Sequence, residues 1–364
     1  MTHKIIHSLL IVFVLLFTNA WADDESLLKV RGPFQIRNQF PLNLQFLSFT
    51  ADNAFMLNKR DFRISLNYSH ANTFAQSPQA LNDLDRSATR IELTQGIMNQ
   101  PNKSNGKSNQ FIIDSGSSRL NLKLEYGITD HLSLELDIPY INYHGGFLDA
   151  PIEFVHRIAG FPYASRSILV KNSSQIFISD DQIDIFYNSD NLKTSGIGDI
   201  VMTAKRMIDS SNSLGVSIAA RLAVKMPTGN YQNLHGSGSW DYGIDLTASR
   251  NFNNSILSTN LSGIFPGKWK LSPQIEVHPS YSWIFSYEYI WGKNLSLILQ
   301  NLIQTGYLGK QKHGELSKTL FEWTAGIKYD LGAGIRLSFA VTQNYIHHNN
   351  TADFGFHLGI SRGF

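Results

Sequence analysis

The stretch "HGSGSWD" holds four residues of the types that carry out nucleophilic catalysis: His235, Ser237, Ser239 and Asp241. A serine nucleophile needs a histidine base within hydrogen-bond reach and a third group that orients the base. Here the histidine lies in a glycine-rich loop between two strands, and nothing in the sequence holds it in place. A loop that leads into a strand explains the same residues, so we predict no catalytic residue in this stretch.

Metal and phosphate chemistry find little support in the sequence. His347 and His348 are adjacent, so they would point to opposite faces of a strand, whereas a zinc site needs three or four convergent ligands. The glycine-rich "GIGDI" at residues 196–200 lacks the helix that a phosphate-binding loop requires. The chain contains no cysteine, which excludes cysteine-ligated metals and disulfides. We therefore predict no metal and no cofactor.

Charge and composition narrow the class of protein. The chain has 31 basic and 29 acidic residues, a formal net charge of +2, which excludes the basic excess of a nucleic-acid-binding protein. Charged residues make up 16% of the chain, below the roughly 25% of soluble domains, while aromatic residues reach 12%. Aromatic side chains are therefore expected on parts of the protein surface where a soluble domain has charged side chains.

Strict alternation of polar and apolar residues is the dominant periodic signal, and it predicts β-strands. In "LGVSIAARLAVKM", residues 214–226, every even position is apolar, while the odd positions include Arg221 and Lys225. The same pattern occurs at residues 119–126, 132–140, 240–248, 281–291, 295–303, 321–329 and 335–341. A helical period is nowhere sustained outside the N-terminal leader, so the sequence predicts an all-β fold.

The polar face of these strands carries charges of both signs. If the apolar face meets lipid, the lumen-facing candidates are Arg119, Lys123, Glu125, Glu135, Asp137, Arg221, Lys225, Asp241, Asp245, Glu288, Glu322, Lys328 and Arg336. One interpretation is a conduction path whose charges set selectivity. The other is a closed interior in which opposite charges pair across the strands. At about twelve strands both interpretations stay open, because side chains and an inserted loop can fill such a bore.

Connections between the strands alternate in length, short and then long, along the chain. A single transmembrane antiparallel up-and-down β-barrel shows this alternation, with short periplasmic turns and long outer loops. Eleven strands follow Ser118, and one more at residues 61–69 makes twelve. Segments at residues 42–49 and 87–95 would raise the count to fourteen. Both counts are even, as expected of a bacterial barrel, and we predict twelve.

The N-terminus has the features of a secretory leader. Lys4 precedes an apolar run that ends at Phe17, and Ala20 and Ala22 have the spacing of a cleavage site, which predicts removal of residues 1–22. Residues 23–59 then form a segment that leads into a barrel of residues 60–364. No later apolar stretch is long enough for a membrane-spanning helix. These features place the mature protein in the outer membrane of a Gram-negative bacterium.

The last strand has its own signature, "DFGFHLGISRGF", in which Phe356, Leu358, Ile360 and Phe364 share one parity. Outer-membrane barrels commonly end in this way, so these residues resemble the signal read by the barrel-assembly machinery. Arg362 departs from the pattern, since an apolar residue is usual at that parity. Further aromatic residues are predicted as anchors at the membrane interfaces: Tyr126, Tyr140, Trp240, Tyr242, Trp291, Tyr329 and Phe364.

Two stretches carry a more specific resemblance. "GIGDIVMTAKR" and "KMPTGNYQNLHGSGSWDYGIDL" resemble the strand-loop-strand signature of several outer-membrane barrel families, including those encoded beside pathways for aromatic-compound breakdown. With "GPFQIRNQFPL", "EYGITDHLSLELDIPY" and "GGFLD", the chain is most similar to a Gram-negative family known as domain of unknown function 3187. The resemblance implies an outer-membrane barrel and brings no catalytic residues to assign.

The loop at residues 141–195 is far longer than ordinary connections and is rich in apolar residues, so we expect part of it to plug or cover the barrel mouth. A small hydrophobic cap that serves stability alone is the alternative. The leading function is passage of a small solute across the outer membrane by a monomeric or loosely associated barrel in contact with lipid and lipopolysaccharide. Two alternatives remain. A non-catalytic surface or scaffold barrel would act through its outer loops, and a lipid-modifying enzyme would need a fixed histidine with a serine or carboxylate at one height on the wall.

Overall fold

The computed structural model describes residues 31–77, 110–145, 169–179, 184–188, 190–192, 195–210, 215–309, 314–332, 334–346 and 349–364. The predicted leader, the possible strand at residues 87–95 and the two adjacent histidines lie outside these residues. Within them, no helix is long and apolar enough to cross a membrane.

Twelve strands form the wall of a barrel. They are β1 (Phe62–Gln76), β2 (Gln110–Thr129), β3 (Leu132–His144), β7 (Ile200–Asp209), β8 (Val216–Met226), β9 (Asp241–Phe252), β10 (Ser255–Phe265), β11 (Ser280–Trp291), β12 (Leu295–Gln304), β13 (Leu320–Gly332), β14 (Ile335–Asn344) and β15 (Phe354–Gly363). Three shorter strands lie between β3 and β7: β4 (Gln175–Ser179), β5 (Asp184–Tyr187) and β6 (Ser195–Ile197).

Each wall strand pairs antiparallel with its neighbours, and β15 pairs with β1 to close the barrel. At the seam the amide of Phe364 donates to the carbonyl of Phe62 at 2.8 Å, and the two rings lie 6.3 Å apart. Closure removes the two strand edges that an open sheet would expose. The predicted all-β barrel of twelve strands is confirmed.

Alternation sorts the side chains of the wall between two environments, as the sequence predicts. Trp291 is 64% exposed on the outer face, whereas Asp245 is 0% exposed on the inner one. All seven aromatic residues predicted as interface anchors are exposed. An apolar outside combined with a polar inside is the pattern of a barrel in a bilayer, inverted relative to a soluble protein.

The connections separate by length onto two ends of the barrel. Short connections follow β2, β7, β9, β11 and β13 at one end, which is called here the short-turn end. The opposite end is called the long-loop end. The predicted loop at residues 141–195 proves shorter, because β3 continues to His144. It also contains strands, of which β4 pairs with β2 and extends the sheet beyond the mouth.

The possible strand at residues 42–49 is absent from the sheet. Residues Asn43–Gln45 form instead a short 3-10 helix with buried side chains. They lie within the barrel, surrounded by the wall. The prediction of a possible strand at residues 42–49 was therefore wrong, because alternation over so few residues does not distinguish a strand from other buried chain.

Candidate functional site

Residues 31–57, here called the plug, occupy the bore of the barrel. The plug begins at the short-turn end, where the guanidinium of Arg31 donates to the carbonyl of Lys293 at 2.8 Å. It rises to the long-loop end, turns at Asn43–Gln45, and returns to the short-turn end, where the backbone of Arg60 bonds that of β2. Most of its residues are buried. The plug is thus a hairpin-shaped piece of chain that fills the lumen without joining the sheet.

The turn of the plug packs into an apolar core at the long-loop end. The ring of Phe46 stacks on Tyr307 at 5.0 Å and meets the edge of Trp269 at 6.4 Å. Tyr307 donates its hydroxyl to the carbonyl of Leu47 at 2.5 Å, and the Trp269 indole donates to Gln45 at 2.7 Å. Burial raises the pKa of the Tyr307 hydroxyl to about 12, so it remains a donor at neutral pH. This tip core includes Phe40, Leu42, Leu44, Phe46, Leu47, Phe49, Tyr143, Leu234, Trp269, Tyr307 and Leu316.

Charged groups hold the returning limb of the plug against one side of the wall. Asp52 lies 2.8 Å from the ammonium of Lys205 on β7 and 3.7 Å from the guanidinium of Arg221 on β8. Arg221 also pairs with Asp245 on β9 at 2.8 Å and donates to the carbonyl of Thr50 at 3.0 Å. Burial alone would raise the pKa of the Asp52 carboxyl, but the charges of Lys205 and Arg221 outweigh it and hold the pKa well below its ordinary value.

The residues singled out in "HGSGSWD" belong to a second polar cluster beside the tip core. The Ser237 hydroxyl accepts from the ammonium of Lys225 at 2.7 Å, and Lys225 also pairs with Asp199 and lies 3.3 Å from Asp241. Asp241 in turn accepts from the amide of Leu47 at 2.8 Å. The ring of His235 stacks on Tyr143. Ser237 is therefore bonded to Lys225, and Asp241 helps to hold the plug.

The rising limb of the plug contacts the opposite side of the wall. The Lys328 ammonium donates to the carbonyls of Gly32 and Pro33, both at 2.7 Å, and lies 5.4 Å above the ring of Phe34. Near the long-loop end, the amide of Asn38 donates to the carboxylate of Glu322 at 2.6 Å. Both limbs are thus bonded to the wall through polar groups.

The other lumen-facing candidates also lie on the inner face. Lys123 pairs with Glu135 at 2.7 Å, and Glu125 lies 3.4 Å from Arg63. Glu288 is buried as well. Three side chains are half-buried: Arg119, Asp137 and Lys328. Arg336 pairs with Asp330 at 3.1 Å near the short-turn end.

Sequence reasoning missed several charged residues of this lumen, among them Asp52, Asp199 and Lys205. Alternation in "DIVMTAKR" would have placed Lys205 on the polar face of β7. Asp52 lies in a segment without period, so no pattern could assign it to the bore. The loop at residues 141–195 was expected to fill the mouth, and most of its apolar part lies outside the described residues.

Little space remains between plug and wall in the described part of the chain. A cavity of about 70 Å³ lies beside the rising limb, lined by Arg31, Arg63, Lys328 and Arg336 among others. A second of about 40 Å³ lies beside the returning limb, near Arg119 and Asp137. Each has room for a few water molecules. Passage of a solute would therefore require the plug to move.

Comparisons with known proteins agree with this architecture. A family model described as "Protein of unknown function (DUF3187)" matches residues 102–364. The fold is similar to that of the COG4313 outer membrane channel from Pseudomonas putida F1, with a TM-score of 0.53, 15% identity, and coverage of 87% of this chain and 100% of that one. A match to the NanC porin covers 82% of this chain and 98% of the porin chain, with 7% identity and a TM-score of 0.44. No curated protein matches the sequence significantly.

Proposed function

The chain belongs to the DUF3187 family, and we propose that it is an outer-membrane channel or transporter for a small solute, closed at rest by its plug. The observation that carries this proposal is a closed barrel with a polar bore that is filled by one non-covalently held segment. A barrel built only as a scaffold has no need of a separate segment that enters and leaves at the same end. A plug that can leave the bore would account for a segment that enters and leaves the barrel at the same end.

The proposed orientation follows the lengths of the connections. Short turns face the periplasm and long loops face outward in such barrels. The leader would be cleaved near Ala22 on export, and the plug would then begin on the periplasmic side. The exposed apolar wall would contact lipid and lipopolysaccharide. Phe356, Leu358, Ile360 and Phe364 would be read by the assembly machinery during insertion.

Charges of both signs on the wall would act on a solute once the plug has moved. Lys205, Arg221 and Lys328 now bond the plug, so its displacement would free these groups to face the bore. Selectivity in barrels depends on such lumen-facing residues. These three residues are therefore proposed to act twice, first by holding the plug and then by selecting the solute.

A reversible lock between plug and wall tests the proposal. The amide of Ala54 lies 2.9 Å from the hydroxyl of Ser249, and the chain contains no cysteine of its own, so the double variant Ala54→Cys with Ser249→Cys adds the only possible disulfide. We expect single-channel conductance steps in the reduced protein and their loss on oxidation. Each single-cysteine variant is the control and should conduct in both states.

Deletion of residues 31–56 supplies the second arm of this test. Without the plug, the barrel should conduct continuously, with ion selectivity set by the wall. Deletion of Gly145–Asn188 separates a contribution of the long loop, because steps that appear only in that variant would make the loop the main obstacle. A plug-free barrel that is folded, shown by its heat-modifiable mobility on a gel, and still silent would overturn the channel proposal.

A further inference from the structure

A serine hydroxyl lies between two imidazole rings on the outer face of the wall, away from the lumen. The hydroxyl of Ser118 on β2 is 2.8 Å from Nε2 of His144 on β3 and 3.0 Å from Nδ1 of His70 on β1. The hydroxyl of Tyr68 lies 3.1 Å from the same oxygen. Three neighbouring strands thus bring one nucleophile and two potential bases together.

Strand parity places this cluster on the lipid side. Ser118 shares its face of β2 with Leu120, and His70 shares its face of β1 with Leu66, both of which are exposed. On β3, His144 follows the exposed Tyr140 with the same parity. His70 is only 1% exposed, and Ser118 and His144 are half-buried, so the cluster lies just beneath the apolar outer surface. Ionisable groups at such a place in a membrane protein are costly and mark functional sites. The three hydrogen bonds of the cluster join strands of the wall and none of them reaches the plug, so the channel function does not account for it.

The register of the strands gives the height of the cluster on the wall. Tyr68, Leu120 and Tyr140 form one row across the three strands, and Ser118 stands opposite His70 in the row above, towards the long-loop end. Tyrosines gather at the level of the lipid headgroups. Neighbouring rows on the same face are two residues apart, or about 7 Å along a strand. In the orientation proposed above, Ser118 would lie at the interface of the outer leaflet, where the ester groups of membrane lipids are found.

The rings that flank Ser118 are held in place by packing. His70 and His144 stack with centroids 5.1 Å apart and planes 16° from parallel. The ring of Phe356 on β15 lies 5.1 Å from that of His70. A base that is fixed in this way can stay within reach of the hydroxyl, as nucleophilic catalysis requires.

We propose that Ser118 is the nucleophile of an acyl-ester hydrolase that acts on membrane lipids. A hydroxyl has one proton to donate and two lone pairs. Donation from Ser118 to Nε2 of His144 leaves room for two incoming bonds, from Nδ1–H of His70 and from the hydroxyl of Tyr68. This set of bonds makes His144 the base and Tyr68 a donor beside the position that the ester oxygen would take.

The chemical step balances with water as the only co-reactant. Oγ of Ser118 bonds the ester carbonyl carbon while its proton passes to His144, and Tyr68 donates to the oxygen that becomes negative. The carbon–oxygen bond to the lipid alcohol breaks, and that alcohol takes the proton from His144. Water, deprotonated by His144, then releases the fatty acid and restores Ser118. The products are a free fatty acid and a lipid that has lost one acyl chain.

A fluorophosphonate probe tests the nucleophile directly. The full-length protein, reconstituted in vesicles of phosphatidylethanolamine, should form a covalent adduct that peptide mass spectrometry locates at Ser118. The adduct should be absent from Ser118→Ala, and His144→Gln should slow its formation by about 10²- to 10⁴-fold, the usual contribution of a general base. The control is Ser317→Ala, a loop serine whose hydroxyl bonds the carbonyl of Gly314.

Lipid products distinguish the two sources of the ester. Release of lysophospholipid from phosphatidylethanolamine vesicles, or of deacylated lipid A from lipopolysaccharide vesicles, would identify which lipid is cleaved. An unlabelled Ser118 in the folded wild-type protein, without either product above the level of Ser118→Ala, would overturn the proposal. Conductance is recorded on the same samples, so the two hypotheses are tested separately. Failure of the hydrolase proposal would leave the channel proposal intact, and failure of the channel proposal would leave the hydrolase proposal intact.

Discussion

The plug is held at its turn by apolar packing and along its limbs by charged and polar groups. At the turn, Phe46 is buried between Tyr307 and Trp269. These contacts join uncharged rings, so neither salt nor a change of pH should weaken them. On the returning limb, Asp52 depends on Lys205 and Arg221, whose charges could be satisfied equally by water or by a solute. The turn therefore supplies stability, while the limbs supply contacts that can be exchanged. A plug that opens should therefore loosen along its limbs first.

The largest effect is expected at the turn. Phe46→Ala should lower the free energy of unfolding by about 3–5 kcal/mol, because it removes a buried ring and leaves a cavity in the tip core. Urea unfolding followed by tryptophan fluorescence measures the change. Leu261→Ala, which removes an apolar side chain that is 60% exposed on the outer wall, is the control. An equal effect of both variants would show that the tip core adds little.

A somewhat smaller loss is expected on the returning limb. Asp52→Asn leaves Lys205 without its buried carboxylate and should cost about 3 kcal/mol. Conductance should respond more than stability, with a higher open fraction than the wild-type protein shows. If Asp52→Asn changed stability alone, the ion pair would not belong to the proposed gate.

The pH dependence of that ion pair follows from the direction of its pKa shift. The pKa of Asp52 lies below its ordinary value in the folded protein, so the carboxylate stabilises the plug above the unfolded pKa of about 4. This stabilisation is lost as the pH falls through the lower folded pKa. We expect the difference between wild type and Asp52→Asn to be constant from about pH 5 to 8 and to shrink only below about pH 4. A change near neutral pH would assign the dependence to another group.

A local effect is expected on the rising limb. Lys328→Met removes the donor shared by the carbonyls of Gly32 and Pro33 and should cost about 2 kcal/mol. Hydrogen exchange should quicken at residues 31–36 and stay unchanged at residues 40–47, where the tip core holds. Uniform quickening of both segments would mean that the plug moves as one piece.

The smallest effect is expected for an ion pair on the surface. Lys318 lies 2.6 Å from Glu315, with side chains that are 40% and 27% exposed. Lys318→Ala should change stability by at most about 1 kcal/mol and leave conductance unaltered. A larger value would mean that burial is not what makes the lumen pairs strong.

The barrel itself was predictable because its signal is local. Each strand passes between lipid and a polar bore, so neighbouring residues must alternate, as they do from Val216 to Met226. The same alternation placed Arg221 and Lys225 on one face. In "DIVMTAKR" the same alternation places Lys205 on the polar face too.

The candidate sites were less accessible to this reasoning. The plug has no period, because a segment surrounded by wall on every side has no two faces to sort. The length and apolar content of the loop at residues 141–195 predict a plug there, while the described lumen is filled from the N-terminal side. The Ser118 cluster combines residues from three strands, and none of them is conspicuous in its own stretch of sequence.

The sequence by itself determined the wall: the all-β class, the twelve strands, the polar inside and the apolar outside. These properties follow from the two-residue period of a strand between two solvents, which any short window of sequence shows. Only the tertiary structure decided what fills the bore and which side chains meet across the strands. Such contacts depend on register and on closure of the barrel, which bring Asp52 to Lys205 and Ser118 to His144. Pairings between distant residues leave no periodic trace in one sequence.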